Sequence, residues 1–279
     1  MSQYSCAEEI APRLRLFVEV DAASAGLMDR RAATVDPIGS CRYTLAALPA
    51  YWGIQMSNFP EDIFKEPEKV DPDTLANLGP LRRLAGIWEG RKGVDLNPKA
   101  DGPERREYLE RIEMQPIDPQ TNGPQVFYGL RYHVHIVADG EDITFHDQTG
   151  YWLWEPATGL VMQTLAIPRG QTALVHGNAA ADGDSLHVQA ERGNANYRIC
   201  STDFLEWAFR TDAYTFDVTF NPDGSWSYVS DTLLQVRGRT EPFHHFDRNT
   251  LTKVAEPTLN PLQAIVRRGI TRAEAHGYK

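Results

Sequence analysis

From residue 78 to residue 255 the chain is a succession of short segments in which apolar and polar residues alternate, and this constrains the fold more than any other feature. Residues 107–116, 125–137, 143–154, 159–167, 171–177, 184–192, 213–220, 225–237 and 247–255 all alternate or carry β-branched and aromatic residues. Between them stand Asn122-Gly123, Asp139-Gly140, Thr158-Gly159, Asp182-Gly183 and Asp223-Gly224, turn signals that supply the positive φ of tight hairpins. With a segment around Gly86-Ile87-Trp88 this makes about ten strands, each following directly on the last. The expected fold is all-β, an antiparallel up-and-down barrel whose closure removes exposed edge strands. No Gly-rich βαβ unit is present, which argues against a nucleotide-binding α/β fold.

Leu84-Ala85-Gly86-Ile87-Trp88-Glu89-Gly90 opens this region behind a short amphipathic lead-in from Leu78. A tryptophan between Gly86 and Gly90 suits the first strand of a small barrel. The indole of Trp88 plugs a closed end, and the glycines let the backbone bend and neighbouring chain approach. Gly150, inside a later strand, implies close approach by a neighbour or a ligand. Alternation also sorts side chains by face. In 126–137 one face carries Val126, Tyr128, Leu130, Tyr132, Val134 and Ile136, the other Phe127, Gly129, Arg131, His133 and His135. In 225–237, Trp226, Tyr228, Thr232, Leu234 and Val236 oppose Ser225, Ser227, Asp231, Gln235 and Arg237. One set of each must line the interior, and the pattern leaves open which.

Three stretches resemble, in order, the nitrobindin-like, haem-binding β-barrel family, a relative of the lipocalins and fatty-acid-binding proteins. Gly86-Ile87-Trp88-Glu89-Gly90-Arg91-Lys92-Gly93 resembles its tryptophan and glycine opening. Phe145-His146-Asp147-Gln148-Thr149-Gly150-Tyr151-Trp152 resembles its His-x-x-x-Gly-Tyr strand, and Pro242-Phe243-His244-His245-Phe246 its ligand-bearing segment. The resemblance runs from about Leu78 to Val254. It implies ferric haem held near the barrel mouth, with His245 or its neighbour His244 as axial ligand and Trp88 stabilising the barrel. The implied chemistry is reaction with nitric oxide, or isomerisation of peroxynitrite to nitrate at iron. His146 is read first as a structural residue that hydrogen-bonds within the barrel or contacts a distal ligand. The stretch Val94 to Arg105 reads as a charged loop, longer than the family's opening loop.

On an extended backbone neighbouring side chains point to opposite faces, so at most one of His244 and His245 enters the cavity. A neutral imidazole there suits haem iron, with Phe243 or Phe246 beside the porphyrin; the alternative is a surface pair flanking a strand. His133-x-His135 puts two imidazoles on one face, with His146 or Asp147 as the nearest further ligands. Without a visible third and fourth ligand, that pair reads as a solvated face or an internally hydrogen-bonded one. There is no Gly-x-Ser-x-Gly elbow, no His-Glu-x-x-His and no phosphate-cradling loop. Asp203, Glu206 and Asp212 near Trp207 read as solvated carboxylates, and Cys200 as an idle thiol.

A formal net charge of −10 and a pI near 5.3 argue against a general binder of nucleic acid or anionic membrane. The three cysteines, Cys6, Cys41 and Cys200, form no framework, which favours a reducing compartment. No apolar run reaches the ~18 residues of a membrane span. Glu8, Glu9 and Pro12 interrupt any signal-peptide core, so a cytoplasmic location is expected. Residues 1–77 read as an extension and linker. Within them, 1–55 either precede a true start at Met56 or form a real extension, and 60–77 form a linker with one helical turn. Residues 78–255 form the barrel. In the tail, 256–279, Leu262, Ile265, Val266 and Ile270 follow a helical period after Pro261, making a helix that packs on the barrel or on a second copy in a homodimer.

The leading functional reading is a soluble barrel that binds a hydrophobic or planar ligand, with haem supplied by the resemblance. A haem-free carrier of fatty acid or another apolar molecule is the alternative, with Arg131, Arg210 or Arg237 free to pair with a ligand carboxylate. The third is a non-enzymatic interaction module.

Overall fold

The computed structural model describes residues 60–138, 140–275 and 277. The two readings of residues 1–55, with Cys6 and Cys41, concern residues outside that range. Strands β1 (Gly86–Lys99), β2 (Gly102–Pro116), β3 (Gln120–Asn122), β4 (Gln125–Ala138), β5 (Thr144–Glu155) and β6 (Leu160–Ile167) come first. They are followed by β7 (Gln171–Asn178), β8 (Ser185–Glu191), β9 (Ile199–Ser201), β10 (Phe209–Phe220), β11 (Trp226–Val236) and β12 (Phe243–Ala255). Ten of these close a ring in the order β1-β2-β4-β5-β6-β7-β8-β10-β11-β12, antiparallel throughout, with β12 returning to β1. The short β3 and β9 add to β4 and β7. The barrel is the expected one.

Its interior faces follow from the pleat. Tyr132, Val134 and Ile136 of β4 and Trp226, Tyr228, Thr232 and Leu234 of β11 point inward, while His133, Arg131 and Val229 stay exposed. A 3-10 turn over Gly79–Leu84 buries Leu81 and Leu84 against the barrel. Trp88 fixes it there, for its indole N–H donates to the Leu84 carbonyl at 2.7 Å and its ring meets Trp226 edge-on at 6.0 Å. Trp88 is thus fully buried between the 3-10 turn and Trp226.

Four features depart from the sequence reading. Val94 to Arg105 is not a loop: β1 runs on to Lys99 and pairs residue by residue with β2, Leu96 opposite Arg105 and Asn97 opposite Glu104. Its charges obscured the period because Asp95 is a buried carboxylate and, from Leu96 to Arg105, both faces of the hairpin tip are exposed or half-exposed. The strand carrying the histidine pair starts at Phe243 rather than residue 247, so both histidines lie within β12. Gly123, Gly140, Gly159 and Gly224 have positive φ as the turns require, but Gly183 does not. A helix not foreseen, α2 (Asp203–Ala208), precedes β10.

The helical turn expected in the linker is α1 (Thr74–Asn77), capped by Asp73. The tail forms α3 (Pro261–Arg268) and α4 (Arg272–Ala275). It packs on the linker of its own chain: Asn260 donates to the Pro72 carbonyl at 2.9 Å, and Arg267 pairs with Asp73 at 2.6 Å. The ladder is thinnest between β7 and β8, where His176 opposite Gln189 is the one regular pair among the described residues. There β9 takes over the other half of β7. No described helix is long and apolar enough to cross a membrane.

Candidate functional site

The barrel encloses a cavity of about 580 Å³ that reaches the surface beside α2, where Phe204 is exposed. Apolar side chains of β2, β4 and β6 line one part of it: Ile112, Met114, Val134, Ile136 and Leu165. A file of aromatic rings on β10 and β11 lines another, with Phe216 stacked on Tyr228 at 4.9 Å and on Tyr214 at 6.4 Å. Two polar walls complete it.

The first wall holds Asp95, Glu110, His245 and Asp247. Asp95 of β1 and Asp247 of β12 are direct cross-strand partners, an arrangement that repels when both are ionised. His245 lies between them, with Nε2 2.6 Å from Asp95 Oδ1 and 3.6 Å from Asp247 Oδ2. Burial opposes charge on Asp95, but hydrogen bonds from His245 and Asn97 outweigh it and hold the carboxyl below its usual range. Burial likewise opposes the His245 imidazolium, yet the Asp95 bond and both carboxylate charges raise it above an ordinary histidine. Asp247 is pushed up to about 7 by burial, against the pull of His245 and with the charge of Asp95 adding to the rise.

Glu110 sits deeper, also raised to about 7 by burial. It accepts hydrogen bonds from Asn249 Nδ2 at 2.8 Å and from the Tyr228 hydroxyl at 3.0 Å, and Tyr228 in turn meets the Tyr108 hydroxyl at 2.7 Å. The opening motif makes room for this network. A Cβ at Gly90 would lie 2.2 Å from Asn249, and one at Gly93 2.0 Å from the Tyr108 ring. Gly86, by contrast, serves the backbone: its φ is 131° and a Cβ would meet the Ala255 carbonyl at 2.7 Å.

The second wall comes from β4, β5 and β6. Gln148 donates to the Tyr132 hydroxyl at 2.8 Å, which donates to the Thr164 carbonyl at 3.0 Å. Gly150 permits this approach, since a Cβ there would lie 1.9 Å from the Thr164 carbonyl oxygen. His146 lines the cavity with Nε2 3.3 Å from Gln148 Oε1 and Nδ1 3.2 Å from Arg169 Nη2. Burial, helped by Arg169, depresses it to about 4, so its ring is neutral. Two buried groups on the lining, Gln163 Oε1 and Trp226 Nε1, have no hydrogen-bond partner.

Of the sequence-derived candidates, His245 and His146 enter the cavity; His244 does not. It points outward, pairs with Asp231 at 2.7 Å and stacks on Phe246. His133 is also outside, 2.9 Å from Asp147, and His135 bonds Thr144, so this pair has the internally bonded surface role. None of Arg131, Arg210 and Arg237 lines the cavity; Arg210 pairs with Asp212 and Arg237 covers the Trp207 ring. Arg169 is the arginine at the lining. Asp95, Glu110 and Asp247 went unrecognised in the sequence. Parity alone reaches only Glu110, which shares the face of Tyr108, Ile112 and Met114; Asp247 shares that of His245 and Leu251 once the inward face is known.

Residues 77–253 match the THAP4-like, heme-binding beta-barrel domain. The chain belongs to that family. Among solved structures, Rv2717c from M. tuberculosis is similar at 23% identity and a TM-score of 0.47, over 66% of this chain and 99% of that one. No curated protein matches.

Membership of the THAP4-like family raises the question of whether these residues suit haem. An axial histidine must offer iron a free nitrogen lone pair. In both cavity histidines Nε2 is engaged, by Asp95 in His245 and by Gln148 in His146. A haem iron approaching either Nε2 would have to displace its present partner.

Proposed function

We propose that this member of the THAP4-like family is a haem-free binder of a small, largely apolar and planar molecule, a carrier or receptor rather than a catalyst. The observation that carries the reading is a cavity of about 580 Å³, lined by apolar and aromatic side chains, whose convergent polar groups include His245 hydrogen-bonded to Asp95. An apolar cavity with a few convergent polar groups is the usual form of a small-molecule site. The file of Tyr214, Phe216 and Tyr228 favours a flat ring system. The acidic wall disfavours a ligand carboxylate and favours hydrogen-bond donors or positive charge.

Family membership supports a second reading, haem, in which His245 leaves Asp95 and takes iron. Solvent extraction and mass analysis of the purified protein, beside a haem titration followed by absorption, separates the two. A stoichiometric organic guest with no saturable Soret band is the expected result. A saturable band lost in His245→Ala would replace the proposal with haem binding. Peroxynitrite turnover is worth measuring only in that case.

A further inference from the structure

Asp95 and Asp247 face each other across two strands inside the barrel, where carboxylates cost most to ionise. His245 lies between them, and Glu110 adds a third carboxyl to the same wall. One ligand atom from each of Asp95, His245 and Asp247 lies within 4.8 Å of the other two. Bonds of about 2.1 Å to a common ion place neighbouring ligand atoms roughly 3–3.5 Å apart. The present separations of 2.6 Å and 3.6 Å from Nε2 straddle that value. The ligands are already braced: Asn97 holds the second oxygen of Asp95, and Ser230 reaches Asp247 at 3.5 Å.

We propose that Asp95, His245 and Asp247 form a site for a divalent transition-metal ion, with its remaining coordination positions open to the barrel cavity. The ion takes the place of the proton that now bridges His245 and Asp95. One imidazole with two carboxylates selects zinc, manganese or ferrous iron; Cu(I) would want sulfur, and magnesium or calcium an all-oxygen shell. The site rests on the haem-free reading, since haem held through His245 would occupy the same ligand; a Soret band would overturn that reading, and the zinc titration tests the ion by itself.

The test is calorimetric titration of metal-stripped protein with ZnCl2, and with CoCl2 as a visible reporter. The expected result is one ion per chain, weakened at least tenfold in Asp247→Asn and in His245→Gln, and unchanged in His133→Ala, which alters only the surface pair. Bound cobalt should give an absorption band distinct from the aquo ion. Should the variants fold poorly, the wild type decides alone: zinc must move the ring-nitrogen NMR resonances of His245 and spare those of His133. Binding absent at millimolar zinc, binding indifferent to the variants, or shifts confined to surface histidines would each overturn the site.

Discussion

Asn249 fills the space above Gly90 and hands its amide to Glu110, so a residue with no side chain governs the state of a buried acid 20 positions away. Gly90→Ala should displace Asn249 and cost about 2–3 kcal/mol, read from urea unfolding. Glu110 itself sets a slope with pH. Its folded value near 7 lies above the ordinary 4.5, so the folded protein keeps a proton that the unfolded chain has released. That contribution is intact below the ordinary value and is lost as pH rises through about 7. Relative to Glu110→Gln, the wild type should lose about 3 kcal/mol between about pH 4 and about pH 8. His146 slopes the other way. Its folded value near 4 lies below the ordinary 6.5, so stability falls as pH drops through that window. His146→Gln should flatten the acid limb of the wild-type curve in the same unfolding series. Trp88, His146 and Gly150 were legible because each sits in a local motif whose neighbours announce it. Asp95 and Asp247 were not: a charged residue in a strand reads as solvated until the inward face is known, and only tertiary register pairs them.

At the level of elements, strand number and order were readable because hairpin turns recur between alternating runs and each strand pairs locally, apart from the closure of β1 on β12. What escaped was the hairpin tip from Val94 to Arg105, where apolar alternation stops while backbone pairing continues. Helix α2 escaped as well, since its six residues expose Phe204 and Trp207 rather than a sustained apolar stripe. The 3-10 turn before β1 is a small element with a large duty. Leu81 is fully buried in it, and Leu81→Ala should lower stability by about 2–4 kcal/mol. Guest binding should survive that change under conditions where the variant stays folded, because Leu81 does not line the cavity. Thermal melts with and without the extracted guest check both halves.

For the whole molecule, the opposing titrations of Glu110 and His146 overlap in mildly acidic solution, where each masks part of the other's slope. A guest that fills the cavity of the folded state adds its own stabilisation, about 2.7 kcal/mol at a hundredfold excess over Kd, and should raise the melting temperature in proportion to its logarithm. The thin ladder between β7 and β8 bears on how such a guest comes and goes. A cask holds only as tightly as its worst-fitted stave. Where neighbouring staves are stitched at His176 and Gln189 alone, parting them breaks fewer main-chain bonds than anywhere else in the hoop. Amide exchange should therefore be fastest along that line among the barrel strands, and the guest's residence time should be set by a side door rather than by the affinity of the room behind it.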